Sequence, residues 1–324
     1  MEVMHRFPKP VVYISKCITF AAVRYDGGMV PSAFVDALKP FITPIIHCPE
    51  VEIGLPVPRK PIRVAADDIK MTKLRLIQPD SGADLTDKMK KWVKQTLDDM
   101  KEVDGFILKS RSPSSGAYDV RIYPSKGGKS TALTNRGAGF FGGEVIRRFI
   151  DKPIEDDDRL NDEKIADSFL KGIFTNAAFR KVKNAKALVK FQEINELLFM
   201  SFNRKYMRIL GDIAANVLKR PFDEVKKEYT ANMALLFSKP YRVSSVINIF
   251  RHALGYFPGN LSMKDKKCFF DVLNKYRSGG INISVPTSLM KSYVLRFDEK
   301  YLKEQTFFLP YPGSIMPNHV KNSK

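Results

Sequence analysis

One change of hydrophobic period constrains the fold of this chain more than any other feature. Up to about residue 150, short apolar runs of strand length alternate with amphipathic stretches. Beyond residue 165 every apolar pattern repeats with the 3.6-residue period of a helix. The runs VVYIS (11–15), FITPIIH (41–47) and GFILK (105–109) read as buried strands. Between the second and third, Leu85, Met89, Trp92, Val93 and Leu97 fall on one face of a helix over 83–103, with Asp80 or Ser81 as its cap. Residues 139–150 read as a further helix. Strands separated by helices need crossover connections, which place the strands in parallel and the helices on the sheet faces.

The helical half contains ALVKFQEINELLFM (187–200), RKYMRILGDIAANVL (204–218), SSVINIFRHALGYF (244–257) and KDKKCFFDVLNKY (264–276). Gly255 and Pro258, then Gly279 and Gly280, punctuate helix ends. The polar, acidic segment DKPIEDDDRLNDEK (151–164) reads as a boundary. The expected fold class is therefore α/β, a Rossmann-like parallel sheet with flanking helices over residues 1–160, followed by an all-α helical domain over 161–324.

A parallel sheet places its ligand crevice at the carboxyl ends of the strands. Cys17 follows the first strand and Cys48 the second. The turn SRSPSSG (110–116) follows the third. Three segments distant in sequence thus converge on one crevice. The chain has three cysteines and no CxxC pair, which argues against both a secreted disulfide scaffold and a self-contained zinc site. Free cysteine is commonly just a small buried hydrophobe, and Cys268, inside KDKKCFFDVL, is expected to be one. Lys16 interrupts the N-terminal apolar stretch, no run approaches the roughly 18 residues of a membrane span, and the expected location is cytoplasmic.

Net charge is +19 and unevenly spread. Residues 1–165 hold 27 Lys and Arg against 23 Asp and Glu; residues 166–324 hold 27 against 12. A surplus of 15 in the helical half points to nucleic acid or another polyanion, with a merely soluble basic surface as the bland alternative.

Two glycine motifs mislead. SKGGKSTAL (125–133) suggests a phosphate loop, but Tyr123 stands where the first glycine belongs. Gly137-x-Gly139-x-x-Gly142 matches a dinucleotide fingerprint without a clear strand before it. A tight turn opening a helix is the better reading, and that helix N-terminus could favour an anion in the crevice.

Several segments resemble known families. SKCITFAAVRYDGG (15–28), HCPEVEIGLPVPRKPIRV (47–64) and KSRSPSSGAYDVRIY (109–123) resemble the thiouracil desulfidase family. NIFRHALGYF (248–257), YRSGGINISVPTSLMKSY (276–293) and YLKEQTFFLPYP (301–312) resemble the YbgA-like family. The first resemblance implies a 4Fe-4S cluster held by three cysteines, with one iron open to take sulfur from a thiolated pyrimidine such as thiouracil. Cys17 and Cys48 match two of the ligand positions. Glu50 matches the family's glutamate, expected to act as general base, and Ser112 its serine, expected to orient water or substrate. The third cysteine is replaced by Ser115. In the second family a His- and Lys-bearing segment is usual; here it reads FQEINE (191–196).

Iron–sulfur clusters favour soft thiolates. Three readings of Ser115 follow: an oxygen ligand in a labile cluster, a substitute ligand with His47 the nearest, or a lost cluster in a retained binding fold. The first two make the chain a desulfidase acting on a thiolated nucleobase. The last makes it a binding protein whose basic helical half contacts a polyanion. Bland readings attach to the other picks. Glu50 could simply pair with Arg59 or Arg63, Asp26 could be a turn residue, and Arg24 could bind only Asp26. His252 could be a satisfied semi-buried histidine, and Tyr301 and Gln305 could pack only the terminal segment.

Overall fold

The computed structural model describes residues 7–125 and 131–315. The phosphate-loop decoy lies largely outside them, since 126–130 are not described. Two compact units are present. One runs up to Ala177 and takes the chain back from Pro312; the other is Ala178–Tyr311.

The first unit carries the expected parallel sheet. Its strands are β1 (Val11–Ser15), β2 (Thr43–His47), β6 (Gly105–Leu108) and β9 (Ile154–Asp156), in the order β2-β1-β6-β9, all parallel. The chain leaves β1 toward β2 on one side and later returns to β6 on the other, so the strand order reverses at β1. That reversal is where an open α/β sheet forms its crevice. Strand β9 lies inside the segment expected to be a polar boundary. Its apolar content is one isoleucine, too little to register as a strand pattern.

A second sheet, not expected from the sequence, has the order β5-β4-β3-β7-β8, with strands Arg63–Ala66 (β3), Leu74–Gln78 (β4), Ala83–Asp84 (β5), Val120–Pro124 (β7) and Thr134–Gly137 (β8). Only β3 and β7 pair in parallel; the other neighbours are antiparallel. These strands are two to five residues long, and β4, β5 and β8 hold at most one buried residue each.

The helices of this unit are α1 (Ala33–Leu38), α2 (Pro49–Glu52), α3 (Thr86–Asp99), α4 (Phe140–Arg148) and α5 (Glu163–Arg180), the last running past Ala177. Met89, Val93 and Leu97 of α3 and Phe141 and Val145 of α4 join Tyr13, Val64, Leu76 and Phe106 in one core drawn from both sheets. Asp80 and Ser81 do not cap α3: they occupy the turn between β4 and β5. Asp84 Oδ1 accepts from Thr86 N at 3.0 Å instead, and the Thr86 hydroxyl accepts from Leu76 N at 2.9 Å.

The second unit is built on α6 (Ala185–Phe202), α7 (Arg204–Ala215), α8 (Phe222–Phe237), α9 (Val243–Leu254), α10 (Met263–Arg277), α11 (Ser284–Arg296) and α12 (Lys300–Glu304). Phe191, Leu198, Phe199, Tyr229, Phe250 and Phe269 anchor its core. Gln305 does more than pack the terminal segment. Its Oε1 accepts from Leu197 N at 3.1 Å and its Nε2 donates to Glu193 O at 2.9 Å, so a side chain stands in for one rung of α6. Tyr301 donates to Glu196 at 3.0 Å and stacks on Tyr256. His252 is exposed rather than semi-buried, with its ring edge against Tyr256. Cys268 is exposed on α10, contrary to expectation, because the buried face of that helix is Phe269, Leu273 and Tyr276. Among the described residues, no helix is long and apolar enough to cross a membrane.

Candidate functional site

Strand endings build the site. Lys16 N donates to His47 O at 3.0 Å, so the chain leaves β1 and β2 still in register, and Cys17 and Cys48 follow directly. Cys48 is the N-cap residue of the short α2, which begins with Pro49 and Glu50. After β6 the backbone turns through Arg111 at φ +58°, a left-handed conformation uncommon outside glycine. It then enters the serine turn. Cys17, Cys48, Glu50, Ser112 and Ser115 all line one cavity of about 400 Å³, within the size range of small-molecule sites. All five sequence candidates are therefore brought together.

The glycine run that resembled a nucleotide fingerprint has a different purpose here. A strand, β8, does precede it, but as the antiparallel edge of the second sheet. The first N–H groups of α4 point at the serine turn. Gly139 N donates to Gly116 O at 2.8 Å, Phe141 N to Ser114 O at 2.8 Å, and Phe140 N to Pro113 O at 3.3 Å. The helix N-terminus is thus saturated by backbone carbonyls and is not left to bind an anion. Such an approach requires glycine: a Cβ on Gly142 would sit 2.1 Å from Gly116 O, and one on Gly139 would sit 2.6 Å from Ser114 O. The serine turn is held rigidly as a result.

Glu50 pairs with Arg59, as the bland reading allowed, but the pair is buried. Arg59 Nε lies 2.7 Å from Glu50 Oε2, and the two side chains are 3% and 11% exposed. The guanidinium also donates to Val23 O at 3.1 Å and Pro56 O at 3.3 Å, and its Nη2 reaches Cys48 Sγ at 3.9 Å. The other carboxylate oxygen accepts from Ser114 Oγ at 2.9 Å. Ser114 lies 3.0 Å from Ser112 Oγ, which accepts from Ser115 N at 3.1 Å. A continuous hydrogen-bonded row thus runs Ser112–Ser114–Glu50–Arg59.

Lys109, which also lines the cavity, has its Nζ held by Asp157 Oδ2 and by Ser110 Oγ, both at 2.7 Å. The other Asp157 oxygen accepts from Ser110 N at 2.8 Å. Asp157 follows β9, so the presumed linker supplies part of the site. Ser114 and Arg59 entered the sequence reading only as a turn residue and a partner, and Lys109 and Asp157 not at all. The arginine of GLPVPR, offered as a partner for Glu50, is the one cue that the sequence held. Arg24 does pair with Asp26, whose Oδ1 also accepts from Gly28 N at 2.9 Å, the turn role expected of it.

Both cavity thiols are neutral at pH 7. Burial, then the nearby Cys48 sulfur, pushes Cys17 up to about 12, with Lys109 and Arg24 pulling weakly the other way. Burial also raises Cys48.

Whether a cubane fits can be read from the donors. The three strand-end positions offer two thiols and one hydroxyl. His47 does not complete the set: its Nδ1 is 3.1 Å from Glu52 Oε1 and its ring packs on Tyr13 and Trp92. Among the described residues no group of three or more His, Cys, Asp or Glu side chains is placed to hold a metal ion. A serine hydroxyl is a hard donor that ionises far less readily than a thiol, so this set does not fit a three-thiolate 4Fe-4S cluster.

The family model for 2-thiouracil desulfurase matches residues 12–157, and one for a protein of unknown function, DUF1722, matches residues 196–312. The uncharacterized protein YbgA of Escherichia coli (strain K12) is 22% identical over 165 residues, covering 49% of this chain and 98% of its own length. The solved structure of a 4Fe-4S-dependent thiouracil desulfidase, TudS, is 29% identical, covering 47% of this chain and 93% of that one, with a TM-score of 0.37. By these matches the chain is similar to the 2-thiouracil desulfurase family over residues 12–157 and to the DUF1722 family over residues 196–312.

Proposed function

We propose that the cavity binds a thiolated pyrimidine and catalyses its hydrolytic desulfuration through Glu50 without a cluster, so that a donor set that does not fit the cubane still leaves an enzyme rather than only a binding fold. The observation that carries this is the buried Glu50, paired with Arg59 and bonded through Ser114 to Ser112 in the cavity that the two thiols also line. Water adds to the thiocarbonyl carbon, the carbon–sulfur bond breaks, and a carbonyl and hydrogen sulfide result. Glu50 takes the proton from the attacking water. Ser112 and Ser114 form the hydrogen-bonded path by which that proton reaches it. Lys109 and Arg59 place two cations on the cavity wall, which favours the departing sulfur as an anion. No redox partner is needed, because sulfur leaves at the oxidation state in which it arrived.

Anaerobic release of hydrosulfide from 2-thiouracil tests the reading. Wild-type protein is expected to release it, and to bind thiouracil more tightly than uracil. Glu50→Gln is expected to lose at least about a hundredfold in rate, the range for removal of a general base. Equal release by both proteins, or no preference for thiouracil over uracil, refutes the proposal.

A second reading concerns a polyanion. An open groove of about 1530 Å³ in the first unit is lined by Lys60, Arg63, Arg75, Arg111 and Arg121 against one acid, Asp80. It shares Arg111 and Pro113 with the cavity. In the second unit Lys264, Lys267 and Lys275 are exposed on α10. Binding of RNA that weakens steeply with salt, with a shallower salt slope in Arg63→Ala/Arg121→Ala, supports polyanion binding; no detectable affinity at low salt rejects it.

A further inference from the structure

Ser115 is unlike its neighbours in the serine turn. Ser112 and Ser114 spend their hydroxyls on the row leading to Glu50. Ser115 is 3% exposed and lines the cavity, yet among the described residues its hydroxyl makes no hydrogen bond. Only its backbone is tied down, by the bond from its N–H to Ser112 Oγ. The segment around it is clamped against α4 through Pro113, Ser114 and Gly116 carbonyls, at distances only glycine at 139 and 142 permits. The chain thus keeps a rigid third position facing the cavity shared with Cys17 and Cys48, filled by a side chain that neither joins the local network nor offers a soft donor.

We infer that this chain does not retain the iron–sulfur cubane, and that one atom accounts for it: exchanging the Ser115 oxygen for sulfur makes the cavity a cluster site. Serine and cysteine share the same branching, so a thiol at 115 needs no new space beyond a larger terminal atom, and no hydrogen bond is lost in the exchange. The backbone that presents it is already ordered. Ligand geometry is therefore preorganised, and only ligand softness is missing. The inference shares its cavity with the proposed function but does not depend on turnover.

The test is anaerobic reconstitution with ferrous iron and sulfide, reading iron and acid-labile sulfide per chain together with the visible thiolate-to-iron absorption. Wild type and Ser115→Ala are expected to retain well under one iron after desalting. Ser115→Cys is expected to retain about four irons and four sulfides, and Cys48→Ala in that background to lose them. Thermal melting monitored at Trp92 checks that each variant is folded. Four irons in wild type would overturn the inference by showing that the oxygen ligand suffices. A folded Ser115→Cys without iron would overturn it by showing that the positions are not preorganised. Thiouracil binding measured separately keeps the two claims apart: iron in Ser115→Cys alone, with no thiouracil bound by wild type, sinks the proposed function and leaves this inference standing.

Discussion

Arg59→Met should be the most informative substitution in the first unit. It removes the guanidinium and leaves the Glu50 carboxylate in place, with a side chain 11% exposed and only the Ser114 hydroxyl to stabilise it. Removing one member of a buried ion pair typically costs about 3–5 kcal/mol, because the remaining charge is neither solvated nor paired. Two carbonyls, Val23 O and Pro56 O, also lose a donor, which places the expectation toward the upper part of that range. The chain has one tryptophan, Trp92 on α3, near the cavity through its edge contact with His47, so its fluorescence reports unfolding of this unit. With a urea dependence of about 2 kcal/mol per molar, the midpoint should fall by about 2 M. The double variant Arg59→Met/Glu50→Gln removes the stranded charge and should recover at least about 2 kcal/mol relative to Arg59→Met alone. A loss under about 1 kcal/mol for Arg59→Met, or strictly additive effects in the cycle, would refute the picture of a dry, mutually dependent pair.

Three other expectations follow from the same structure. Gly142→Ala should destabilise the first unit by about 2–4 kcal/mol in the Trp92 urea assay despite alanine's better helix propensity, since its Cβ must displace the carbonyls that cap α4; a stabilised variant would contradict this. Cys17 should make the unit less stable at alkaline pH. Its thiol titrates near 9 when unfolded and near 12 when folded, so between those values the unfolded state loses the proton and the folded state keeps it. Stability should then drop by about 1.4 kcal/mol per pH unit, fully present below pH 9, and Cys17→Ala should flatten that limb; an unchanged slope would show that another group governs it. Gln305→Ala leaves Leu197 N and Glu193 O without their partner inside α6 and should cost the helical unit about 1–3 kcal/mol by circular dichroism melting, with hydrogen exchange at Leu197 accelerated; unchanged exchange there would contradict the inserted rung.

Much of this molecule was legible before any coordinates. Buried strands announce themselves when four or five consecutive residues are apolar, as in VVYIS and GFILK, and amphipathic helices by their period; those two signals carried the parallel sheet, α3 and the helical half. The meeting of Cys17, Cys48, Glu50, Ser112 and Ser115 followed from one topological rule, that parallel strands deliver their carboxyl ends to the same edge. Side-chain identity at 115 was a matter of sequence alone, and with it the mismatch to a three-thiolate cluster.

Tertiary structure decided what pattern could not express. Strand β9 contains one apolar residue in three, so it looked like a polar boundary until pairing with β6 revealed it, and Asp157 came with it. The second sheet has strands too short and too half-exposed to rise above loop composition. The glycines at 137, 139 and 142 match a nucleotide-binding fingerprint by spacing, yet their cause is the contact between α4 and the serine turn, a closeness that exists only once both are folded. Arg59 is the same kind of case. Its charge reads from the sequence as surface, and its burial against Glu50, Val23 and Pro56 depends on loops that meet only in three dimensions. Local pattern sets which segments become strands and helices, because period and burial are properties of consecutive residues. Partnership between polar groups far apart in the chain is set by packing, and it is packing that placed Glu50, Arg59, Lys109 and the unengaged Ser115 hydroxyl around one cavity.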